Sequence, residues 1–279
     1  MVGNTRRIVA VTTRGSSRRA EERETKFPHR RQRITAVSRV CNEAHEAMIA
    51  IVSMLGPVAS WLDRVLYRHA FEGASARRYA DDERPAFGDF DDRLLDALAP
   101  VLSGATRPDD DPHTRVRLLD VGAGPGTFAM RAAERFAELS VFAIEPSRDF
   151  AQPRRGVAIA CARGEALPLA DASIDVAICL SSIRHVQDRA AVLRELRRVV
   201  RRGHGRLVIV ELDPAASSRR IAAHADHLGS RVLRHAFGPL VVRTAPSLAA
   251  IEALAQREGW SVASRRDDAI QPVYILELA

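Results

Sequence analysis

The chain has 279 residues, 46% of them hydrophobic and 28% charged, the balance of a globular protein and not of a disordered or fibrous one. Three scattered cysteines (Cys41, Cys161 and Cys179) exclude a disulfide framework, and no CxxC pair or Cys/His cluster has metal-ligand spacing. The net charge of +7 sits at one end, because residues 1–40 hold eleven Arg or Lys against Glu21, Glu22 and Glu24 while the remainder is nearly balanced.

Residues 1–40 have no sustained apolar period and read as a basic, disordered tail. Its three glutamates depart from the acid-poor pattern of a transit peptide. The longest mostly apolar run, 47–62, has sixteen residues and is broken by Gly56-Pro57. A membrane span needs about 20, and proline removes a helix donor. Two packed helices at 41–55 and 58–71 are therefore expected, with no membrane partner. A third helix is expected at 91–102, where Leu94, Leu95, Leu98 and Val101 recur at helical spacing. The segment 103–114, with two prolines and three consecutive aspartates, reads as a linker. Residues 41–112 thus form a helical cap and linker.

From Arg115 strands and helices alternate. Short β-rich runs at 117–121, 140–144, 174–180 and 206–211 have the character of buried parallel strands. Helices are expected at 126–138 and 188–202. The second carries an apolar face (Val192, Leu193, Leu196, Val199, Val200), and its arginines lie largely outside that face, as on a solvated surface. A helix at 247–258 and strands near 260–265 and 272–278 close the chain. The expected fold is α/β: a seven-stranded mixed sheet with helices on both faces, its last two strands forming an antiparallel pair. Residues 113–279 form this core, with 213–246 inserted as a lid.

The chemistry centres on Asp120-Val121-Gly122-Ala123-Gly124-Pro125-Gly126-Thr127, a strand that turns through glycines into a helix. Such a turn lets a ligand approach the backbone closely. The dinucleotide pattern is GxGxxG, but here the third glycine comes one residue early, and no lysine follows as a phosphate-cradling loop requires. Asp120 would present a carboxylate that suits a cationic amino-acid moiety better than a pyrophosphate. Glu145, at the end of the next strand, lies at the spacing of a carboxylate that accepts from ribose hydroxyls.

These residues resemble the class I S-adenosylmethionine-dependent methyltransferases, in particular their broad small-molecule group, from about Arg115 to Val210 and plausibly onward to Ala279. The resemblance implies a Rossmann-like fold and S-adenosylmethionine as cofactor. It places Asp120, Gly122, Ala123 and Gly124 around the methionine moiety, Glu145 and Pro146 at the ribose, Arg163, Gly164 and Glu165 at the adenine, and Leu180 near the sulfonium. Two departures stand out. Close relatives usually carry an aspartate at the position of Arg163 to bond the adenine amino group, a bond that guanidinium cannot accept. The usual Pro-Gly-Gly before the fifth strand is here Arg202-Gly203-His204-Gly205, at the end of the sheet far from the ligand.

Methyl transfer from a sulfonium is an in-line displacement that depends mainly on holding two reactants aligned, worth roughly 7–11 kcal/mol. His185 is the candidate base, with a purely structural role as the competing reading. Tyr79, Phe90 and Arg184 are candidates to border the acceptor. No Asn-Pro-Pro-Tyr type motif is present and Glu211-Leu212-Asp213-Pro214 lacks its amide and aromatic, so DNA is not an expected partner. The lid's arginines (Arg219, Arg220, Arg231, Arg234, Arg243) suit an anionic small-molecule acceptor, although arginine-rich coding explains them nearly as well. The expectation is a cytoplasmic, metal-free small-molecule methyltransferase. RNA is disfavoured. An RNA or protein methyltransferase using the basic arm, and a non-catalytic cofactor-binding member, are the alternatives.

Overall fold

The computed structural model describes residues 73, 87–104, 115–228 and 231–279. The tail 1–40, the helices expected at 41–55 and 58–71, residue Tyr79 and most of the linker fall outside the described residues. In chain order the elements are α1 (Phe90–Gly104), β1 (Val116–Val121), α2 (Thr127–Arg135), β2 (Leu139–Glu145), β3 (Val157–Cys161), β4 (Val176–Leu180) and α3 (Arg189–Val199). There follow β5 (Arg206–Leu212), α4 (Ser218–Asp226), α5 (Arg231–Ala236), a π-helix (Phe237–Val242), α6 (Leu248–Arg257), β6 (Val262–Asp267) and β7 (Val273–Leu278).

The strands form one seven-stranded sheet in the order β3-β2-β1-β4-β5-β7-β6. The first five are parallel, and β7 runs antiparallel to both β5 and β6. Side-chain alternation divides the core between the two faces of the sheet. Leu118, Val141, Ile178 and Val208 pack with Leu94 and Leu98 of α1 and with Phe128 and Ala132 of α2. Leu119, Ala177, Cys179 and Ile209 pack with Val192, Leu193 and Leu196 of α3 and with Ile251 and Ala255 of α6. Each such aliphatic side chain removed from water contributes about 1.5–3 kcal/mol.

Three boundaries differ from the expected ones for physical reasons. The third strand, β3, has an Ala-rich sequence and lies at the sheet edge half exposed, so no strong apolar run marks it. Helix α3 stops at Val199 because Val200 turns extended and bridges Ile174, which in turn is drawn out of β4. The α3 arginines lie outside its buried apolar face, as expected, and make surface contacts. Arg194 pairs with Glu258 at 2.9 Å, and Arg197 lies 5.2 Å over the Trp260 ring, which joins α3 to the end of α6. Among the described residues no helix is long and apolar enough to cross a membrane.

Candidate functional site

The strand order reverses at β1 and β4, and the carboxyl ends of the parallel strands open there into a cavity of about 290 Å³. Open α/β sheets bind ligands at this switch point. The β1–α2 loop forms its floor. Gly122 has φ +72°, and a Cβ on it would lie 2.5 Å from the Ser182 Cβ, so only glycine fits both the backbone and the space. Ser182 sits that close because its hydroxyl donates to the Val121 carbonyl at 2.6 Å, which pins the β4–α3 loop onto the β1–α2 loop. Gly124, at φ +56°, has nothing within 4 Å of its missing Cβ and faces open cavity. Gly164 is buried, and a Cβ there would lie 3.2 Å from both Val121 and Val192, which would have to give way slightly.

Glu145 is buried at the end of β2. Its Oε2 accepts from the Gly124 N–H (2.8 Å) and its Oε1 from the Ser147 N–H (2.9 Å). Burial raises its pKa, and those two bonds oppose the rise. The acidic side chain therefore braces the glycine loop as well as facing the cavity. Glu165 also lines the cavity, and its Oε1 accepts from the Gln187 N–H at 3.2 Å at the entry to α3. Ala123, Pro146, Arg163 and Leu180 line it too, with Arg163 exposed at the rim.

His185 borders the cavity near the end of β4. Burial lowers its pKa to about 3, helped by the Arg184 and Arg189 guanidinium groups, so the imidazole is neutral at physiological pH. Cys179, also in the lining, is buried and its thiol is pushed up to about 12, mainly by burial and then by the charge of Asp120, so it stays protonated.

Three expected site residues lie elsewhere. Asp120 is only 2% exposed and is not part of the cavity lining. Alternation along β1 turns it to the face of Leu118, while Val121 reaches the cavity. Phe90 belongs to the buried stripe of α1, and Phe87, three residues earlier and outside the helix, supplies the aromatic wall instead. Arg184 is buried beneath the site, where its guanidinium donates to the Val241 carbonyl (3.0 Å) and its own N–H donates to Glu211 Oε2 (3.3 Å). Glu211 is fully buried and its pKa is raised by burial, which the two neighbouring arginines oppose. Phe87, Phe128 and Phe150 are wall residues the sequence did not single out. Phe128 and Phe150 follow the two motif strands by a few positions, which is the signal that could have found them. Among the described residues no group of three or more His, Cys, Asp or Glu could hold a metal ion.

Residues 119–209 match the family model of the methyltransferase domain. The chain is 34% identical over 113 residues to demethylmenaquinone methyltransferase of Deinococcus radiodurans, covering 38% of this chain and 46% of that protein. It is 33% identical over 159 residues to 27-O-demethylrifamycin SV methyltransferase of Amycolatopsis mediterranei, covering 54% and 55%. The chain thus spans about half the length of the curated relatives it matches. A crystal structure of a SAM-dependent methyltransferase from Aquifex aeolicus aligns with a TM-score of 0.54 at 14% identity, over 75% of this chain and 98% of that one, a likeness of fold. Residues 119–209 thus match a methyltransferase domain on a fold shared with a SAM-dependent methyltransferase, and S-adenosylmethionine is the cofactor these likenesses imply. The site fits that cofactor: an open cradle at Gly124, a cavity-facing carboxylate at Glu145 and a cavity of small-ligand size.

Proposed function

We propose that the protein transfers a methyl group to the oxygen, nitrogen or carbon of a small molecule by in-line displacement. The observation that carries this reading is the cavity itself, enclosed between the Gly122–Gly126 loop, Glu145 and the end of β4. Bound S-adenosylmethionine would supply the electrophilic methyl group. Gly122, Ala123, Gly124 and Leu180 would hold its amino-acid end and Glu145 with Pro146 its ribose. Arg163, Gly164 and Glu165 would border its base. Arg163 offers only donors, so the backbone of this loop is the natural acceptor for an exocyclic amino group. Asp120 would act from below, through the field it places under the loop.

A neutral His185 with a depressed pKa is a weak base. Its proposed role is to orient the acceptor through a hydrogen bond, and the acceptor enters already nucleophilic or loses its proton to solvent. The protein's contribution is then mainly alignment and exclusion of water. Calorimetric titration with S-adenosylhomocysteine tests the reading. Wild type should bind it, and Glu145→Ala should weaken binding by about 1.5–3 kcal/mol, the worth of a charge-assisted hydrogen bond. Unchanged affinity in Glu145→Ala would remove Glu145 from the site.

A further inference from the structure

The two ends of the cavity differ in chemistry. The Arg163–Glu165 loop follows β3, on one side of β1. The lid leaves β5, on the other side, and there Phe87 lines the cavity. Two other segments hold that residue. The Phe87 carbonyl accepts from Gln271 Nε2 at 3.2 Å. Its ring meets the His224 ring edge-on, with centroids 4.9 Å apart, and His224 stacks on Phe237 at 4.8 Å. His224 Nδ1 and Gln271 Oε1 are 2.6 Å apart, and both side chains are buried. The start of α1, the lid and the β6–β7 turn therefore converge on one aromatic wall.

Three of the lid's arginines are bonded elsewhere. Arg220 donates to the Asp268 carbonyl at 2.5 Å, Arg234 to Leu228 at 2.9 Å and Arg243 to Pro214. None of these three, nor Arg184, lines the cavity. Among the described residues, an anion at this end would lose water without gaining a cation, a costly exchange. A flat apolar group would instead meet Phe87 in the offset or edge geometry that aromatic rings favour.

We infer that Phe87 is the acceptor-recognition residue and that the acceptor is an uncharged molecule with an apolar, ring-sized face. This rests on the methyltransferase reading above. His224 is the positioning residue that keeps Phe87 in place. The inference replaces the anionic acceptor suggested by the lid's arginine content, because composition records the guanidinium groups but not where they bond.

The full-length protein saturated with S-adenosylhomocysteine is titrated at neutral pH with 1-naphthol and, separately, with 1-naphthoate, bicyclic probes that differ in charge. Wild type should bind the naphthol about tenfold tighter than the naphthoate, and Phe87→Ala should lose about tenfold of naphthol affinity with S-adenosylhomocysteine affinity held within about threefold. His224→Ala should weaken naphthol binding, and His224→Phe, which keeps a ring between Phe87 and Phe237, should restore most of it. Naphthoate binding as tightly as naphthol, no naphthol binding to the loaded protein, or full naphthol affinity in Phe87→Ala each overturns the inference alone. Failure of wild type to bind S-adenosylhomocysteine brings down the methyltransferase reading, and this inference with it.

Discussion

At the scale of single residues, His185 and Glu145 show how burial sets chemical role. His185 has an ordinary value of 6.5 and a folded value of about 3. As pH falls through that interval the unfolded chain takes up the proton first, so the contribution of His185 to stability is full above about 6.5 and is lost progressively toward 3. Glu145 and Glu211, both raised by burial, act in the opposite sense, since the folded state holds their protons more tightly. Comparing variants isolates the histidine. Between neutral pH and about 4.5, urea denaturation of His185→Asn should lose about 2 kcal/mol less stability than wild type does. Equal losses in the two proteins would show that His185 titrates normally. The methylation rate should likewise show no inflection near 6.5 from this group. None of this was readable from the sequence, where His185 was visible only as a histidine near a strand end. Its pKa is set first by burial and then by the Arg184 and Arg189 charges, an environment that exists only once the β4–α3 loop has folded.

At the scale of elements, the β1–α2 loop carries two glycines that the sequence presents as equivalent and the structure separates. A methyl group at Gly122 collides with Ser182, whereas one at Gly124 meets nothing within 4 Å. Gly122→Ala should therefore cost about 2–4 kcal/mol of folding stability, from overpacking together with a positive φ. Gly124→Ala should cost about 1–2 kcal/mol from φ alone, yet lose most of its S-adenosylhomocysteine binding, because its methyl group would occupy the cradle. Thermal melts beside calorimetry separate the two effects, and the reverse pattern would contradict this assignment of the loop. The glycines, Glu145 and the strand–helix alternation were legible because they follow local rules of turn and periodicity. Phe87 and Phe90 were not distinguishable, since they lie three residues apart where one helix begins and only its packing decides which ring is core. Asp120 was misplaced for a related reason: the alternation of β1 was clear, but not which face the cavity opens on.

At the scale of the whole molecule, the cavity draws its walls from the start of α1, the β1–α2 loop, the end of β2, the loop after β3 and the β4–α3 loop. These segments are far apart in sequence, so the site exists only in the folded chain. A ligand that fills it must then stabilise the fold by mass action. With S-adenosylhomocysteine at a hundred times its dissociation constant the gain is about 2.7 kcal/mol. For a protein of this size that should raise the melting temperature by about 5–10 °C. NAD is the informative competitor. It also carries an adenosine whose ribose could meet Glu145, but its pyrophosphate requires the third glycine one position later than Gly126. Its addition at the same concentration should leave the melting temperature unchanged. A shift with NAD and none with S-adenosylhomocysteine would overturn the methyltransferase reading in favour of a dinucleotide-binding one, since both ligands probe the same strand ends and differ in what lies beyond the ribose.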